Sequence, residues 1–413
     1  MELGTRDTSL PGVDAARTRA FNRSVVLARI KSQGPISRAM IGRSTTLAKA
    51  TVSVIVDELI ASGLVVEVGV GTSSRRGGRP PILLQYNGRS ELLVGIHIGV
   101  QRTTVAVATG SGEELSRRTA PTVRTSPEAT IDLCVDLTRE ALAELEAELT
   151  EVVAVAVCLP GLTDSVRGIC LLAPNLGWRE VPVGTMLTAR LGATVPIRVQ
   201  NTTQAVALAE NLEGAGVGVR DLLLVYVGTG IGSAFIHDGV LIGGARGIAG
   251  ELGHCAVPGA TRPCSCGKVG CLETLASAHG IRATVLASLA AGSDRPPALA
   301  GPITAQQVAR CALEGEPVCT RAVEQAGAEL GRVIAWAVNL LNPTTVIIAG
   351  GVAEMGELLL RPLRAAVAKG ALNELLASVE IKRAELGQEA KVRGAILTAL
   401  LSWQGATARS LGR

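Results

Sequence analysis

The stretch GELGHCAVPGATRPCSCGKVGCLE occupies residues 250–273 and contains four candidate metal ligands: His254, Cys264, Cys266 and Cys271. The chain has only nine cysteines in 413 residues, and three of them fall between positions 264 and 271. Imidazole and thiolate groups suit a tetrahedral zinc ion, and four protein ligands leave no coordination position for water. The segment therefore predicts a structural Zn²⁺ site that fixes the loop. The alternative is a group of reduced, buried cysteines, which are common in protein cores.

The composition is typical of a large globular α/β protein. Hydrophobic residues make up 47% of the chain and there are 48 glycines, while aromatic residues contribute only 2%, so aliphatic side chains must fill the core. No apolar run approaches the ~18 residues of a membrane span. The N-terminus has no apolar segment of the signal-peptide kind, and the cysteines lack the pattern of a secreted disulfide scaffold. We therefore expect a cytoplasmic protein without a membrane partner.

Positive charge is concentrated at the front of the chain. The formal net charge is only +4, yet residues 17–82 carry eleven Lys or Arg against three acids, which gives +8 for that part. A basic front module on a mildly acidic body indicates a polyanion partner for the front module alone. A solvated basic face without any partner is the alternative that charge counting leaves open.

The pattern of the front module predicts a winged helix-turn-helix. After a flexible arm at residues 1–16, helices are predicted at 22–32, 37–44 and 48–62, and strands at 64–68 and 82–85. Gly63 follows the third helix, as a C-terminal glycine should. We assign residues 17–88 to this α+β domain and expect it to bind double-stranded DNA. A helical protein-interaction module is the alternative.

Two groups of residues are the predicted DNA contacts. The third helix of a winged helix-turn-helix enters the major groove, and its first turns here present side chains that lie off the apolar stripe: Lys49, Ala50, Thr51 and Ser53. The loop between the two strands would lay three guanidinium groups along a minor groove or the phosphate backbone: Arg75, Arg76 and Arg79.

The body of the chain alternates strands and helices in two sets. The first set has strands at 92–98, 103–108 and 152–159 and a helix at 130–149, and the second has strands at 222–227, 233–236 and 345–349. A glycine-rich segment accompanies each set, at 95–99 and at 228–232. Two related α/β lobes around a cleft would explain this recurrence.

Four motifs together resemble the ROK family (repressors, open reading frames and sugar kinases) over nearly the whole chain. They are GTGIG at 228–232, GELGH at 250–254, CSCGKVGCLE at 264–273 and NPTTVIIAGG at 342–351. The resemblance implies an actin-like, RNase H-like two-lobed ATPase fold behind the winged helix-turn-helix. Lobe 1 would comprise residues 89–200, completed by a C-terminal helix at 388–405, and lobe 2 residues 201–387. Members with an N-terminal winged helix look like sugar-responsive transcription regulators.

The resemblance also implies which residues form the site, with zinc on the His/Cys set named above. Sugar hydroxyls would meet Asn201, Glu251, His254 and Glu273, with Asn175 a further candidate that an ordinary turn explains equally well. Ionised carboxylates with amide and imidazole groups can satisfy vicinal hydroxyls, which both donate and accept hydrogen bonds. A vestigial nucleotide site would comprise Gly228, Thr229, Gly230, Gly232, Gly350 and Gly351.

Two loops depart from the pattern of the family's kinases. Thr202 stands where those kinases carry an aspartate, and a hydroxyl cannot serve as the general base near neutral pH. His97 replaces the aspartate of the first phosphate loop, and Val100 adds bulk where backbone should approach phosphate. We therefore predict that kinase activity is lost and that ATP is not a cofactor.

These observations predict a sugar-responsive, DNA-binding transcription regulator, a repressor rather than an activator. Its expected partners are an operator in double-stranded DNA, a sugar or sugar-phosphate effector, and further copies of the chain in a homodimer or homotetramer. Two alternatives remain: a bifunctional sugar kinase with a DNA-binding domain, and a scaffold that binds another protein through its body.

Overall fold

The computed structural model describes residues 22–411 except residues 24, 28, 32, 46, 62, 72–79, 88–90 and 193–194, and only the backbone of residues 405–411. The predicted arm at residues 1–16 lies outside the described residues, as do the loop residues Arg75, Arg76 and Arg79.

The front module contains three helices and a small antiparallel sheet. The elements are α1 (the described residues among 22–33), β1 (Ile36–Ser37), α2 (Arg38–Thr45), α3 (Lys49–Ala61), β2 (Val65–Val70) and β3 (Ile82–Tyr86), with strand order β1-β3-β2. Helix α3 buries one face, formed by Val52, Ile55, Val56 and Leu59. The second helix starts one residue later than predicted, because Ser37 pairs with β3 and belongs to β1.

The first body sheet has five strands in the order β11-β7-β4-β5-β6. Its elements are β4 (Leu92–Ile98), β5 (Arg102–Thr109), β6 (Glu114–Pro121), α4 (Pro127–Glu144), β7 (Val152–Leu159), β8 (Leu162–Asp164), β9 (Ile169–Ala173), β10 (Trp178–Val181), α5 (Val183–Leu191) and β11 (Ile197–Asn201). Strands β4, β5 and β6 are antiparallel neighbours, whereas β7 runs parallel to both β4 and β11. Strands β8, β9 and β10 form a separate small sheet.

Helix α4 departs furthest from its predicted bounds. It was expected at 130–149 but spans Pro127–Glu144. Its start is set by Ser126, whose hydroxyl accepts a hydrogen bond from the backbone N–H of Ala129, and by a proline in the first turn. The backbone then leaves the α-helix at Leu145, and Leu149–Glu151 forms a short 3-10 turn before β7.

The second body sheet repeats part of the topology of the first. Its strands are β12 (Leu222–Val227), β13 (Ile231–His237), β14 (Val240–Leu241), β15 (Thr345–Ala349) and β16 (Glu380–Arg383), in the order β14-β13-β12-β15-β16. The central strand β12 pairs antiparallel with the next strand of its set and parallel with β15, as β4 does with β5 and β7. The helices of this half are α7 (Glu273–Ala276), α8 (Ala278–Ala290), α9 (Ala305–Leu313), α10 (Pro317–Leu341), α11 (Glu357–Gly370) and α12 (Asn373–Leu376).

Two further helices, α6 (Thr202–Glu213) and α13 (Ala390–Leu411), pack on each other and connect the two halves. Gly394 allows the close approach of the pair, since a Cβ there would collide with the carbonyl of Ala205. Gly95 does the same for the first sheet, where a Cβ would lie 2.7 Å from the backbone N of Ile396. Helix α13 therefore covers one face of the first sheet while it contacts α6. In the described part of the chain, no helix is both long and apolar enough to cross a membrane.

Candidate functional site

The four predicted metal ligands come together in the structure. One ligand atom from each of His254, Cys264, Cys266 and Cys271 lies within 4.8 Å of all the others. The Nδ1 atom of His254 is 3.7 Å from the Sγ atom of Cys264, and the Sγ atoms of the other two cysteines are 3.6 Å apart. That separation is too long for a disulfide and is close to the spacing of two thiolates on one tetrahedral zinc ion.

The chemistry of the cluster also fits a cation. Burial, with the neighbouring thiols adding to it, raises the pKa of Cys271 to about 12, so a thiolate there needs a positive partner. The loop that carries the cysteines is shaped by Gly270, at φ 77°, where a Cβ would lie 2.6 Å from the carbonyl oxygen of Ala260. Cys255, although adjacent to His254 in sequence, is not part of the cluster.

His254 connects the metal cluster to a carboxylate. Its Nδ1 faces the sulfur atoms, while its Nε2 lies 3.8 Å from Oε2 of Glu251. The Glu251 side chain is 43% exposed. Desolvation raises the pKa of Glu251; Glu273 also raises it and His254 opposes the change. A metal ion on Nδ1 would leave the other nitrogen for Glu251 or a ligand, so the loop can present an imidazole and a carboxylate side by side.

Glu273 is held by the second glycine-rich loop. Its Oε2 accepts a hydrogen bond from the backbone N–H of Ile231 at 2.9 Å. A Cβ on Gly230 would lie 2.5 Å from the same oxygen, so only glycine leaves room for the carboxylate at this point. The loop that the resemblance links to nucleotide thus also packs directly against a predicted sugar ligand.

The predicted sugar ligand Asn201 is the N-cap of α6. Its Oδ1 accepts from the Thr203 N–H and its Nδ2 donates to the carbonyl of Gly161, each at 2.7 Å. One N–H and one lone pair of the amide remain for a ligand. Asn175 lies exposed in the 3-10 turn Pro174–Leu176, and this turn follows Ala173, which packs on Gly161. The structure gives Asn175 no described contact with Glu251 or Glu273.

Sequence reasoning missed a buried glutamine that anchors the loop before Glu251. The Nε2 of Gln204 donates to the carbonyls of Gly247 and Ala249, at 3.2 and 3.1 Å, and its Oε1 accepts from Gln200 at 2.6 Å. Gln204 lies one turn into α6 and is 2% exposed. The only sequence signal is a glutamine on the apolar side of a helix, which gives no clue to its partners.

A second contact fastens the same loop to the first half of the body. Two guanidinium nitrogens of Arg246 each lie 3.4 Å from Oδ2 of Asp164, which is 1% exposed. The backbone N–H of Arg167 donates to the other oxygen of that carboxylate. The N–H bond and Arg246 together lower the pKa of Asp164. The loop that precedes Glu251 is therefore attached to both halves.

Two buried positions, His97 and Thr202, depart from the pattern of the family's kinases. His97 is 9% exposed, and burial, with a smaller effect of Lys391, lowers its pKa to about 3. The hydroxyl of Thr202 is buried and has no hydrogen-bond partner among the described residues. Gly350, at φ 92°, would place a Cβ against the carbonyl of Val227, so its backbone geometry alone requires glycine. Neither His97 nor Thr202 supplies a negative charge.

The predicted DNA-reading residues occupy the first turns of α3. Lys49 and Ala50 are exposed, while Thr51 and Ser53 are half-buried. They lie beside the buried stripe that packs α3 into its module. The Arg38 guanidinium donates to the carbonyl of Ser53 at 3.4 Å and to Asp57 at 2.7 Å, which ties α2 to α3.

Comparison with known proteins identifies the family. The profile described as "ROK family" matches residues 93–401, and the chain belongs to that family. The xylose repressor of Caldicellulosiruptor bescii is 32% identical over 382 residues, which cover 92% of this chain and 95% of that protein. The predicted family membership is confirmed.

Structural and kinase relatives differ in how much of the chain they cover. A crystal structure described as a ROK family transcriptional regulator, homolog of the E. coli MLC protein, has a TM-score of 0.80 at 28% identity and covers 96% of this chain and 99% of its own. The glucokinase of Halalkalibacterium halodurans is 32% identical over 307 residues, which cover 92% of that enzyme but 73% of this chain. The predicted fold class, a two-lobed α/β body behind a DNA-binding module, is confirmed.

Proposed function

We propose that the protein is a sugar-responsive transcription regulator, of the repressor type, in which the ROK body binds an effector and the winged helix-turn-helix at residues 17–88 binds DNA. The observation that carries the proposal is the difference in coverage. The repressor relative aligns with 92% of the chain, front module included, whereas the glucokinase aligns with 73%. A front module of +8 formal charge suits DNA.

The effector site in this proposal is formed by Glu251, His254 and Glu273, with Asn201 opposite them. Loops hold the two carboxylates and the imidazole in place. Glu273 accepts a hydrogen bond from Ile231, His254 belongs to the His/Cys cluster, and Glu251 lies beside His254. Such groups suit the vicinal hydroxyls of a monosaccharide or its phosphate. Zinc on the four ligands would supply rigidity to this loop, and no open coordination position for chemistry.

The same geometry argues against a working sugar kinase. Phosphoryl transfer requires a carboxylate base and groups that organise Mg²⁺ and phosphate. Thr202 carries a neutral hydroxyl, and the low pKa of His97 keeps its imidazole neutral near pH 7. We therefore assign no catalytic role to the cleft and no cofactor role to ATP.

An effector acts on DNA binding only through contacts that differ between two states of the protein. We propose that sugar binding changes the position of α6 and of the loop before Glu251, and thereby the spacing of two front modules in a dimer. The two half-sites of an operator lie about 34 Å apart, or a multiple of that, so the spacing of the two modules determines whether both can bind DNA at once. Such a regulator works in the cytoplasm, where the reducing conditions suit its nine free cysteines.

Selection from a random DNA duplex library tests the proposal directly. The purified protein should enrich a roughly palindromic sequence, and the affinity for that sequence should change on addition of one monosaccharide or sugar phosphate from a panel. Arg76→Ala should weaken binding to all duplexes, whereas Lys49→Ala should alter base preference. A protein that enriches no sequence, or that converts a hexose and ATP to the hexose phosphate, would contradict the proposal.

A further inference from the structure

Lys31, in α1, lies between two aromatic rings from distant parts of the chain. Its Nζ is 4.1 Å from the ring centroid of Tyr86 at the end of β3, and 3.9 Å from that of Trp403 in α13. Oε2 of Glu91, at the start of the body, is 3.6 Å from the same ammonium and accepts a hydrogen bond from the Tyr86 hydroxyl. We call these four side chains the Lys31 cage.

The cage contains two of the few aromatic residues of the chain. The chain contains only three tryptophans, two tyrosines and two phenylalanines, and two of these rings face one ammonium. An ammonium over an aromatic face is attracted by the ring quadrupole, and more strongly where water is excluded. The Lys31 side chain is 25% exposed, and burial lowers its pKa while Glu91 opposes that change.

The body is shaped to accept this contact. Gly110, in the turn between β5 and β6, would place a Cβ 2.5 Å from the Tyr86 hydroxyl oxygen and 3.2 Å from Cβ of Glu91. A side chain at this position would therefore displace the Tyr86 hydroxyl from its present place beside Glu91. The turn that contains Gly110 is also joined to α13, because Arg393 donates to the carbonyl of Gly112 at 2.7 Å.

Helix α13 leads from the cage to the effector cleft. Trp403 is nine residues beyond Gly394, about 14 Å along an α-helix. At Gly394 the backbone of α13 lies against Ala205 of α6, too close for any side chain to intervene. Helix α6 itself begins at its cap Asn201, a predicted effector ligand, and its end is tied to α13 by the Arg393–Glu213 ion pair. Because of this close packing and ion pair, we expect a shift of α6 to move α13.

We propose that Lys31, Tyr86 and Trp403 are positioning residues that fix the DNA-binding module on the body and pass the movement of α6 to it through α13. The inference rests on the proposed function, since it names the contact through which effector binding reaches the module. Lys31 and Trp403 contact each other in the cage and are not among the predicted effector or DNA ligands, so the expected effect of changing them is on the coupling between the two sites.

The first experiment tests the contact itself. Lys31→Met removes the charge and keeps the length of the side chain, whereas Lys31→Arg keeps a cation that can stack on aromatic rings. Hydrogen exchange of the full-length protein should speed up about tenfold or more at residues 399–404 in Lys31→Met and remain near wild type in Lys31→Arg. Unchanged exchange in Lys31→Met would overturn the proposal.

The second experiment tests the coupling. The probes are D-xylose, D-glucose and N-acetylglucosamine with their phosphates, and the measured quantity is the ratio of DNA dissociation constants with and without the active sugar. Allosteric ratios are commonly about 5–150-fold. Lys31→Met and Trp403→Leu should each bring the ratio close to one, without altering sugar affinity, and the double variant should do no more than either change alone. Trp336→Leu, at an exposed tryptophan of α10, is the matched control and should leave the ratio unchanged.

The two experiments separate this inference from the proposed function. If no sugar changes DNA binding by the wild-type protein, the proposed function fails, while the hydrogen-exchange result still decides whether the cage holds the module. If the wild-type ratio is large and both cage variants retain it, the proposed function stands and the cage is not the route of coupling.

Discussion

The two sides of the proposed effector cleft, the loop of the His/Cys cluster and the region of His97 and Thr202, use their polar residues in opposite ways. On the metal side, Glu251, His254 and Glu273 are ionisable groups that loops and neighbours hold in position. On the other side, His97 and Thr202 are buried and neutral, and the Thr202 hydroxyl has no described partner. In the proposed function, the first group of residues binds a polyol, whereas His97 and Thr202 offer no carboxylate to organise Mg²⁺ or accept a proton. Binding and catalysis can thus be separated within one fold.

The largest effect is expected from the metal cluster, because the binding side depends on it. Cys266→Ser should remove about one equivalent of zinc and lower the free energy of unfolding by something on the order of 5 kcal/mol, since structural zinc contributes directly to folding. Metal analysis and calorimetry would measure both. Cys266 is exposed, so loss of packing adds little.

Cys255→Ser is the matched control for this change. Cys255 adjoins His254 in the chain but lies outside the cluster, so the variant should retain its zinc. Equal metal content in Cys266→Ser and wild type would show that the four groups do not form the binding site.

A smaller effect is expected from one carboxylate on the binding side. Glu273→Gln keeps the shape of the side chain but removes the charge that accepts the Ile231 N–H. A hydrogen bond from an effector hydroxyl to a charged carboxylate contributes about 1.5–3 kcal/mol, so its weakening should lower effector affinity roughly tenfold to a hundredfold. Calorimetric titration would measure the change, and Glu374→Gln, at an exposed site on α12, should not alter affinity. Unaltered affinity in Glu273→Gln would remove this residue from the site.

In the His97 and Thr202 region, the buried imidazole of His97 should make the stability of the folded protein sensitive to acid. Its folded pKa of about 3 lies below the ordinary value of 6.5. The unfolded chain therefore binds a proton first as the pH falls, and stability is lost between about pH 6.5 and pH 3. At about 1.36 kcal/mol per pH unit, His97 alone should cost about 2 kcal/mol between pH 7 and pH 5.

The comparison of variants isolates this contribution. His97→Gln should reduce the loss of unfolding free energy between pH 7 and pH 5 by that amount, as measured by urea unfolding at both values. His279→Gln, at an exposed histidine, should leave the loss as in wild type. If His97→Gln and wild type lose the same amount, the imidazole is not buried in a neutral form.

The sequence predicted those features whose residues lie close together in the chain. Strands β4, β7, β12 and β15 have the predicted bounds because each is a short segment of mainly apolar, largely buried residues. The proximity of His254, Cys264, Cys266 and Cys271 was predictable because they lie in one short segment, and the fold of one loop brings them together.

Contacts between distant segments could not be predicted. Gln204 reaches carbonyl groups some forty residues later in the chain, and backbone carbonyls leave no trace in a sequence. The contact of Lys31 with Trp403 depends on the placement of α13 across the first sheet. The start of α4 was missed for a different reason, since Ser126 and the following proline are a local cap signal that the apolar pattern outweighed.

The smallest expected effect concerns Thr202 and tests whether recognition really belongs to the metal side alone. Thr202→Val replaces a buried hydroxyl that has no described partner by a methyl group of similar size. A buried unsatisfied group costs about 1–3 kcal/mol, so the variant should be as stable as wild type or more stable, by up to roughly 1 kcal/mol in urea unfolding. Effector affinity should change by less than about twofold, because the carboxylates opposite remain. A loss of affinity beyond tenfold would place the Thr202 hydroxyl among the effector ligands, and the two sides of the cleft would then share recognition.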